Sequence, residues 1–238
     1  MVRSAEGQIA RRAEAITTQR VPLSKERVLR TAIDLADKGG IESLSMRKLA
    51  YELGVEAMSL YYYVASKDEL LNGIVDVVVN EIEPTSRDGD WRAAIRRSAI
   101  SFHDVLKRHT WATTLMMGGS GVSSARMRYM EALLGRLREA GFSANLTHHA
   151  YHALDSHIIG STLWHAGYSN MKLPADFETK FVRDIAKELP YLAEHAQQHL
   201  TKTKGDVPEF EFGLDVILDG LEKILNTGRP ASPKQRGR

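Results

Sequence analysis

The chain contains no cysteine, which removes disulfides, thiolate metal sites and cysteine nucleophiles from consideration and fits a reducing compartment. It has no run of about 18 apolar residues, so no transmembrane helix is expected. The opening segment MVRSAEGQIARRAEAITTQR lacks the apolar middle of a secretory signal, and a cytoplasmic location is expected. Proline is scarce, with seven in 238 residues. No segment alternates apolar and polar residues with β-branched enrichment, so nothing argues for a sheet. What remains is ordinary for a globular protein: 43% hydrophobic and 26% charged residues in a 26.6 kDa chain, long enough for more than one domain.

The net charge is only +2, but basic residues collect at the two ends. Arg3, Arg11, Arg12, Arg20, Lys25, Arg27 and Arg30 stand against Glu6, Glu14 and Glu26, and Arg229, Lys234, Arg236 and Arg238 stand against no acid. Such ends either meet a polyanion or serve as solubilising tails.

Apolar residues recur at three- and four-residue spacing almost throughout, which predicts an all-α protein. Residues 1–21 read as a flexible basic arm. Ser24 caps a first helix whose stripe is Val28, Leu29, Ala32, Ile33, Leu35 and Ala36, and Gly39-Gly40 stops it. Ser45 caps a second, Met46 to Leu53; Gly54 makes a turn, and a third helix is expected over Glu56–Tyr63. Ser66 caps a longer helix, 67–83, ended by Pro84. The polar segment PTSRDGD (84–90) marks the boundary of the domain 22–83. A larger helical domain, 84–226, follows, with helices expected at 91–108, 111–117, 123–140, 144–166, 175–198 and 208–226. Loops are expected at 116–124 and 201–207, and a basic flexible tail at 227–238.

The stretch SMRKLAYELGVEAMSLYYYV, residues 45–64, carries the function. Two short helices joined by a glycine turn form a helix-turn-helix, whose second helix enters the major groove of DNA. Leu49, Ala50, Leu53, Val55, Leu60 and Val64 are its apolar side. Successive helix positions point about 100° apart, so Tyr61, Tyr62 and Tyr63 cannot all be core. Outward phenols can bond phosphates, and their rings can pack on thymine methyls.

Residues 24–83, through RKLA, LGVE, LYYYV and KDELL, resemble the DNA-binding domain of the tetracycline-repressor (TetR) family. FEFGLDVILDGLEKIL (210–225) and REAGFS (138–143) resemble the regulatory domain of the tetracycline repressors. The resemblance implies an N-terminal three-helix helix-turn-helix domain and a C-terminal bundle that dimerises through two helices, a repressor that leaves its operator when a small effector binds. It implies that Ser45 and Arg47 begin the helix that reaches a base edge, that Ala57, Met58 and Ser59 set specificity, and that Tyr61 and Tyr62 clamp phosphates. Tyr63 stands where the tetracycline repressors carry histidine, and Lys67 matches a phosphate-binding lysine. Structural alternatives stand beside these roles: Met58 filling the groove at the turn, Tyr61 buried, and Arg47 a solvated helix charge. The arm at 1–20 either enters the minor groove or does not.

The tetracycline repressors bind magnesium-chelated tetracycline, and this chain departs from them at the ligand. Their metal-binding histidine falls on Met116, the glutamate orienting the metal's waters on Trp164, an asparagine on Ser98 and a drug-contacting histidine on Glu83. Phe102 is retained. No metal and no cofactor are expected, and tetracycline is not the expected effector. The soft and aromatic set Phe102, Trp111, Met116, Met117, Met127, Met130 and Trp164, with Ser98 and His165 as polar contacts, suggests a hydrophobic, polycyclic aromatic effector, although each alone also suits a core. Two half-sites need two reading heads, so a homodimer is expected, paired through 144–166 and 208–226, where Gly213 and Gly220 permit close approach. The rival reading is a metal-dependent or hydrolytic helical enzyme using the histidine-rich helix 144–166. His148 and His152 share a face there, but no third-ligand spacing accompanies them, and Ser156 and His157 point apart.

Overall fold

A computed structural model describes residues 22–118, 123–169, 176–200 and 208–227; within these all regular structure is helical. The expected arm at 1–21, the tail beyond 227, and the loops at 119–122 and 201–207 lie outside the described residues. In chain order the α-helices are α1 (Lys25–Gly39), α2 (Met46–Leu53), α3 (Ala57–Leu60), α4 (Lys67–Val79), α5 (Trp91–Arg108), α6 (Thr110–Met117), α7 (Ser124–Glu139), α8 (Ala144–Ser169), α9 (Phe177–Ile185), α10 (Pro190–Leu200) and α11 (Glu209–Thr227). A 3-10 turn, Ile41–Ser43, separates α1 from α2.

Serine or aspartate side chains cap the starts of α1, α2, α4 and α5. Ser24 Oγ accepts from the Arg27 amide at 3.2 Å, Ser45 Oγ from Lys48 at 3.2 Å, Ser66 Oγ from Glu69 at 3.0 Å, and Asp90 Oδ2 from Ala93 at 2.9 Å. Each satisfies one of the amides that a helix start leaves without a partner. The stripe Val28, Leu29, Ala32, Ile33, Leu35 and Ala36 is buried as its spacing requires.

Three expected helices are corrected. The helix 175–198 is two, broken at 186–189, because Pro190 has no amide hydrogen and serves as the first residue of α10. The helix 67–83 stops at Val79, where Asn80 forms the C-cap. The helix Glu56–Tyr63 is α-helical only over Ala57–Leu60 and continues as turn through Tyr63. Ser66 must take an extended conformation to cap α4, so the chain leaves α3 early.

One apolar cluster runs through both expected domains. Leu70, Ile74, Val75, Val78 and Val79 of α4 belong to it together with α1 residues on one side and Phe102, Leu106, Leu133 and Leu137 on the other. Helix α11 lies along α5 and α8. Arg96 on α5 binds Asp215 at 2.8 Å and Glu211 at 2.6 Å on α11, and Arg92 binds Glu222 at 2.9 Å and Asp219. These carboxylates raise both arginine pKa values.

Two imidazoles stack on Phe210 of α11: His103 of α5 at 3.9 Å and His157 of α8 at 5.0 Å between ring centroids. His157 Nε2 also meets the Phe210 carbonyl at 2.9 Å. Its ring lies where a Cβ on Gly213 would stand, 2.5 Å away, so Gly213 admits His157 of the same subunit. Burial, with Lys107 adding to it, holds His103 down to a pKa of about 4. The folded state therefore keeps His103 neutral, while the unfolded chain takes up a proton below about pH 6.5. Stability is complete above that value and falls as pH drops towards 4, by roughly 3 kcal/mol over the window. Thermal melts between pH 7 and 4 should show this loss, and His103→Phe, which keeps the stack, should flatten it.

Candidate functional site

The reading head is built from α1 to α4. Gly54 ends α2 in the left-handed region, φ 68° and ψ 36°, and returns its amide to the Ala50 and Tyr51 carbonyls. That turn sets the angle between α2 and α3. Leu60 and Val64 are fully buried and anchor α3 to the core. The opposite side is bare: Met58 is 72% exposed, Tyr61 45% and Tyr62 90%. Ala57 and Tyr63 are half-buried against the core, and Ser59 is half-buried. Tyr63 thus differs from its two neighbours.

Arg47 and Lys67 are exposed at the starts of α2 and α4. Ser45 is exposed too, with its hydroxyl occupied as a cap. Lys67 follows the Ser66 cap at a helix N-terminus, a position whose amides and dipole favour an anion. Glu69 Oε2 accepts the Ala65 amide at 2.7 Å and Oε1 binds Lys25 at 2.8 Å, which fastens the α4 start to α1. The Lys25 contact leads in holding the Glu69 carboxyl below its ordinary range. Tyr51, 84% exposed and one turn beyond Arg47 on α2, is a further aromatic on this side that pattern reading did not single out.

The expected effector residues divide. Ser98 and Phe102 of α5 are buried, and Tyr129 of α7 sets its ring edge on Phe102 at 5.0 Å. The Ser98 hydroxyl donates to the Glu83 carbonyl at 2.8 Å. Met116 and Met130 are half-buried against the core. Met117, Met127, Trp164 and His165 are exposed on the single subunit and do not join this group. Trp111 is elsewhere again. It is buried, but its indole N–H donates to Asp37 of α1 at 2.6 Å, so it belongs to the joint between reading head and bundle. His109 Nδ1 meets the same carboxylate at 2.8 Å.

A second joint lies on α4. Asp76 accepts from the Ala125 amide at 2.9 Å, from the Ser124 hydroxyl at 3.2 Å and from the Ser123 hydroxyl, capping the start of α7. Just beyond, Arg126 Nη2 holds both oxygens of Asp155 on α8 at 3.1 Å. Asp37, Asp76, Arg126 and Asp155 escaped the pattern because each partner lies on another helix, 29 to 74 residues away. A charged residue on a helix is read as solvent-facing unless its partner is known.

The chain matches the family model "Bacterial regulatory proteins, tetR family" over residues 28–74 and "Tetracyclin repressor-like, C-terminal domain" over 83–225. The chain belongs to the TetR family. Among its relatives, the HTH-type transcriptional repressor DrrR1 of Streptomyces coeruleorubidus is 32% identical over 96% of this chain and 91% of its own. The tetracycline repressor protein class C of Escherichia coli is 30% identical over 86% and 93%. The solved structure of the TetR-family protein ActR of Streptomyces coelicolor in complex with actinorhodin superposes with a TM-score of 0.70, at 26% identity over 88% of this chain and all of that one.

Within this TetR-family bundle, Met116 presents a half-buried thioether and Trp164 an exposed indole, neither of which suits Mg2+. Among the described residues no three His, Asp or Glu side chains converge to hold a metal. His148, His149 and His152 are exposed and pack edge to face at 4.5 to 5.4 Å. Ser156 is exposed while His157 turns to α11, so these two neighbours do not form a nucleophile and base. No helix is long and apolar enough to cross a membrane among the described residues.

Gly54 gives a direct test of the head's construction. A Cβ there meets no neighbour, so Gly54→Ala adds only the left-handed backbone cost, roughly 1–2 kcal/mol. Urea unfolding should show that loss, with operator affinity falling in step.

Proposed function

We propose that this TetR-family protein is a homodimeric repressor that holds an operator through α3 and α2 and releases it when a hydrophobic, aromatic effector enters the bundle. The observation that carries the reading is the bare row Met58, Tyr61 and Tyr62 on α3 and the turn after it, a segment anchored by buried Leu60 and Val64. Ala57 and Met58 offer apolar contact to thymine methyls, Ser59 a hydroxyl, Arg47 a bidentate donor for guanine, and Tyr61, Tyr62 and Lys67 phosphate contacts.

Two copies are needed to span half-sites about 34–36 Å apart. Helix α11 supports the pairing, because it is two-sided. Phe210, Leu214, Leu218, Leu221 and Leu225 are buried within the subunit, while Phe212, Val216 and Ile224 are exposed at four-residue steps. Gly220 completes that outward stripe with no neighbour within 4 Å. On α8, Leu163 and Trp164 are likewise exposed.

Release is a population shift between two spacings of the heads, transmitted by α4 through the Asp76 and Asp37 joints. An effector acts only to the extent that it prefers one arrangement. Gel shifts on DNA flanking the protein's own gene test the reading. Arg47→Ala should cost about 1–3 kcal/mol and relax preference at one base pair, whereas Lys67→Ala should weaken all sequences alike and lower the salt slope by about 1. Binding blind to sequence would defeat the operator reading.

Asp76→Asn tests the transmission. It keeps the shape and removes the charge that holds the α7 start. The ratio between effector concentration for half-release and effector Kd should rise roughly tenfold, a coupling loss on the order of 1–2 kcal/mol. An unchanged ratio would remove Asp76 from the route.

A further inference from the structure

We infer, resting on the effector-site reading above, that the effector carries an acidic group, a carboxylate or an ionised phenol, and that Arg126 receives it. Arg126 stands on the first turn of α7 with its guanidinium carbon 6.0 Å from the centre of the Phe102 ring. Its Nη2 is committed to Asp155, but its Nη1 faces the Met116 sulfur at 3.3 Å, a weak acceptor. A guanidinium has five N–H donors in a fixed fork, so Arg126 can keep Asp155 through Nη2 and offer Nη1 to an incoming oxyanion. The side chains of Arg126 and Asp155 are 18% and 20% exposed, reachable yet largely out of water, where a charge-assisted hydrogen bond counts most.

The neighbours fit the same ligand. Phe102, with Tyr129 on its edge, is a flat apolar wall beside the charge. Burial raises the pKa of both Tyr129 and Tyr151, so the two phenols stay protonated and remain hydrogen-bond donors. These donors offset the cost of two anions sharing one guanidinium. A cationic ligand would have to draw Asp155 away and leave Arg126 buried without a counterion. A neutral hydrocarbon would leave Nη1 on sulfur and gain nothing from it.

The position also explains how binding would be felt. Ser123, Ser124 and Ala125, which grip Asp76 of α4, immediately precede Arg126. An anion that draws Arg126 therefore acts on the turn that holds the linking helix.

Matched pairs test this: 2-naphthoate against 2-naphthamide, and anthraquinone-2-carboxylate against its carboxamide, titrated calorimetrically into the full-length protein at pH 7. Each acid should bind at least tenfold tighter than its amide. Arg126→Met should abolish the difference by weakening the acid alone, and Arg126→Lys should retain part of it, which also shows that loss in the first variant is not misfolding. If the pairs bind but differ by less than tenfold, or the amide binds tighter, the anion assignment falls and the aromatic effector site stands. If no member of either pair binds, the site reading falls and the assignment with it.

Discussion

Helix α4 belongs to two domains at once, and the rest of the molecule depends on that. Its buried residues Leu70, Ile74, Val75, Val78 and Val79 complete the core of the reading head and continue into the core of the bundle without a break. A head with a separate core on a loose tether would turn independently of whatever the bundle binds. Here any displacement of α4 has to be matched by repacking on both sides, and close-packed interiors resist continuous deformation. The two carboxylates add direction to this constraint. Asp37 ties α1 to Trp111 and His109, and Asp76 ties α4 to the first turn of α7.

Much of this is legible in the sequence. The serines at 24, 45 and 66 marked helix starts because a hydroxyl there answers an amide that the helix cannot. The apolar stripes of α1 and of the helix-turn-helix followed from spacing alone. Errors fell where one local rule competes with another. Residues 61–63 continue the periodicity of α3, yet the extended conformation of Ser66 draws the chain out of the helix first. Pro190 reads as an interruption in a long pattern and is instead the start of a second helix.

The interior polar groups were not legible, and the reason is physical. Periodicity reports which face of a helix is apolar, but a buried charge is decided by what the facing helix brings. Arg126 alone reads as a solvated side chain; in the fold it is paired with Asp155 and set beside the Phe102 ring. Trp111 shows the converse. Its composition class suggested a ligand wall, and its indole N–H is spent on Asp37. Buried tryptophan needs a partner for that one donor, and the partner determines which surface the ring serves.

The size of these joints suits a switch. Moving a two-state equilibrium from 99:1 to 1:99 takes about 5.5 kcal/mol of differential binding. Hydrogen bonds to a charged group contribute on the order of 1.5–3 kcal/mol each. The three groups on Asp76 and the two on Asp37 are therefore of the magnitude that one well-placed ligand contact can strengthen or break. Hydrophobic burial of α4 is much larger, and in the proposed release it holds the molecule together without choosing between arrangements. On that proposal the choice falls to the few polar contacts, and Arg126 sits one residue from the three that converge on Asp76.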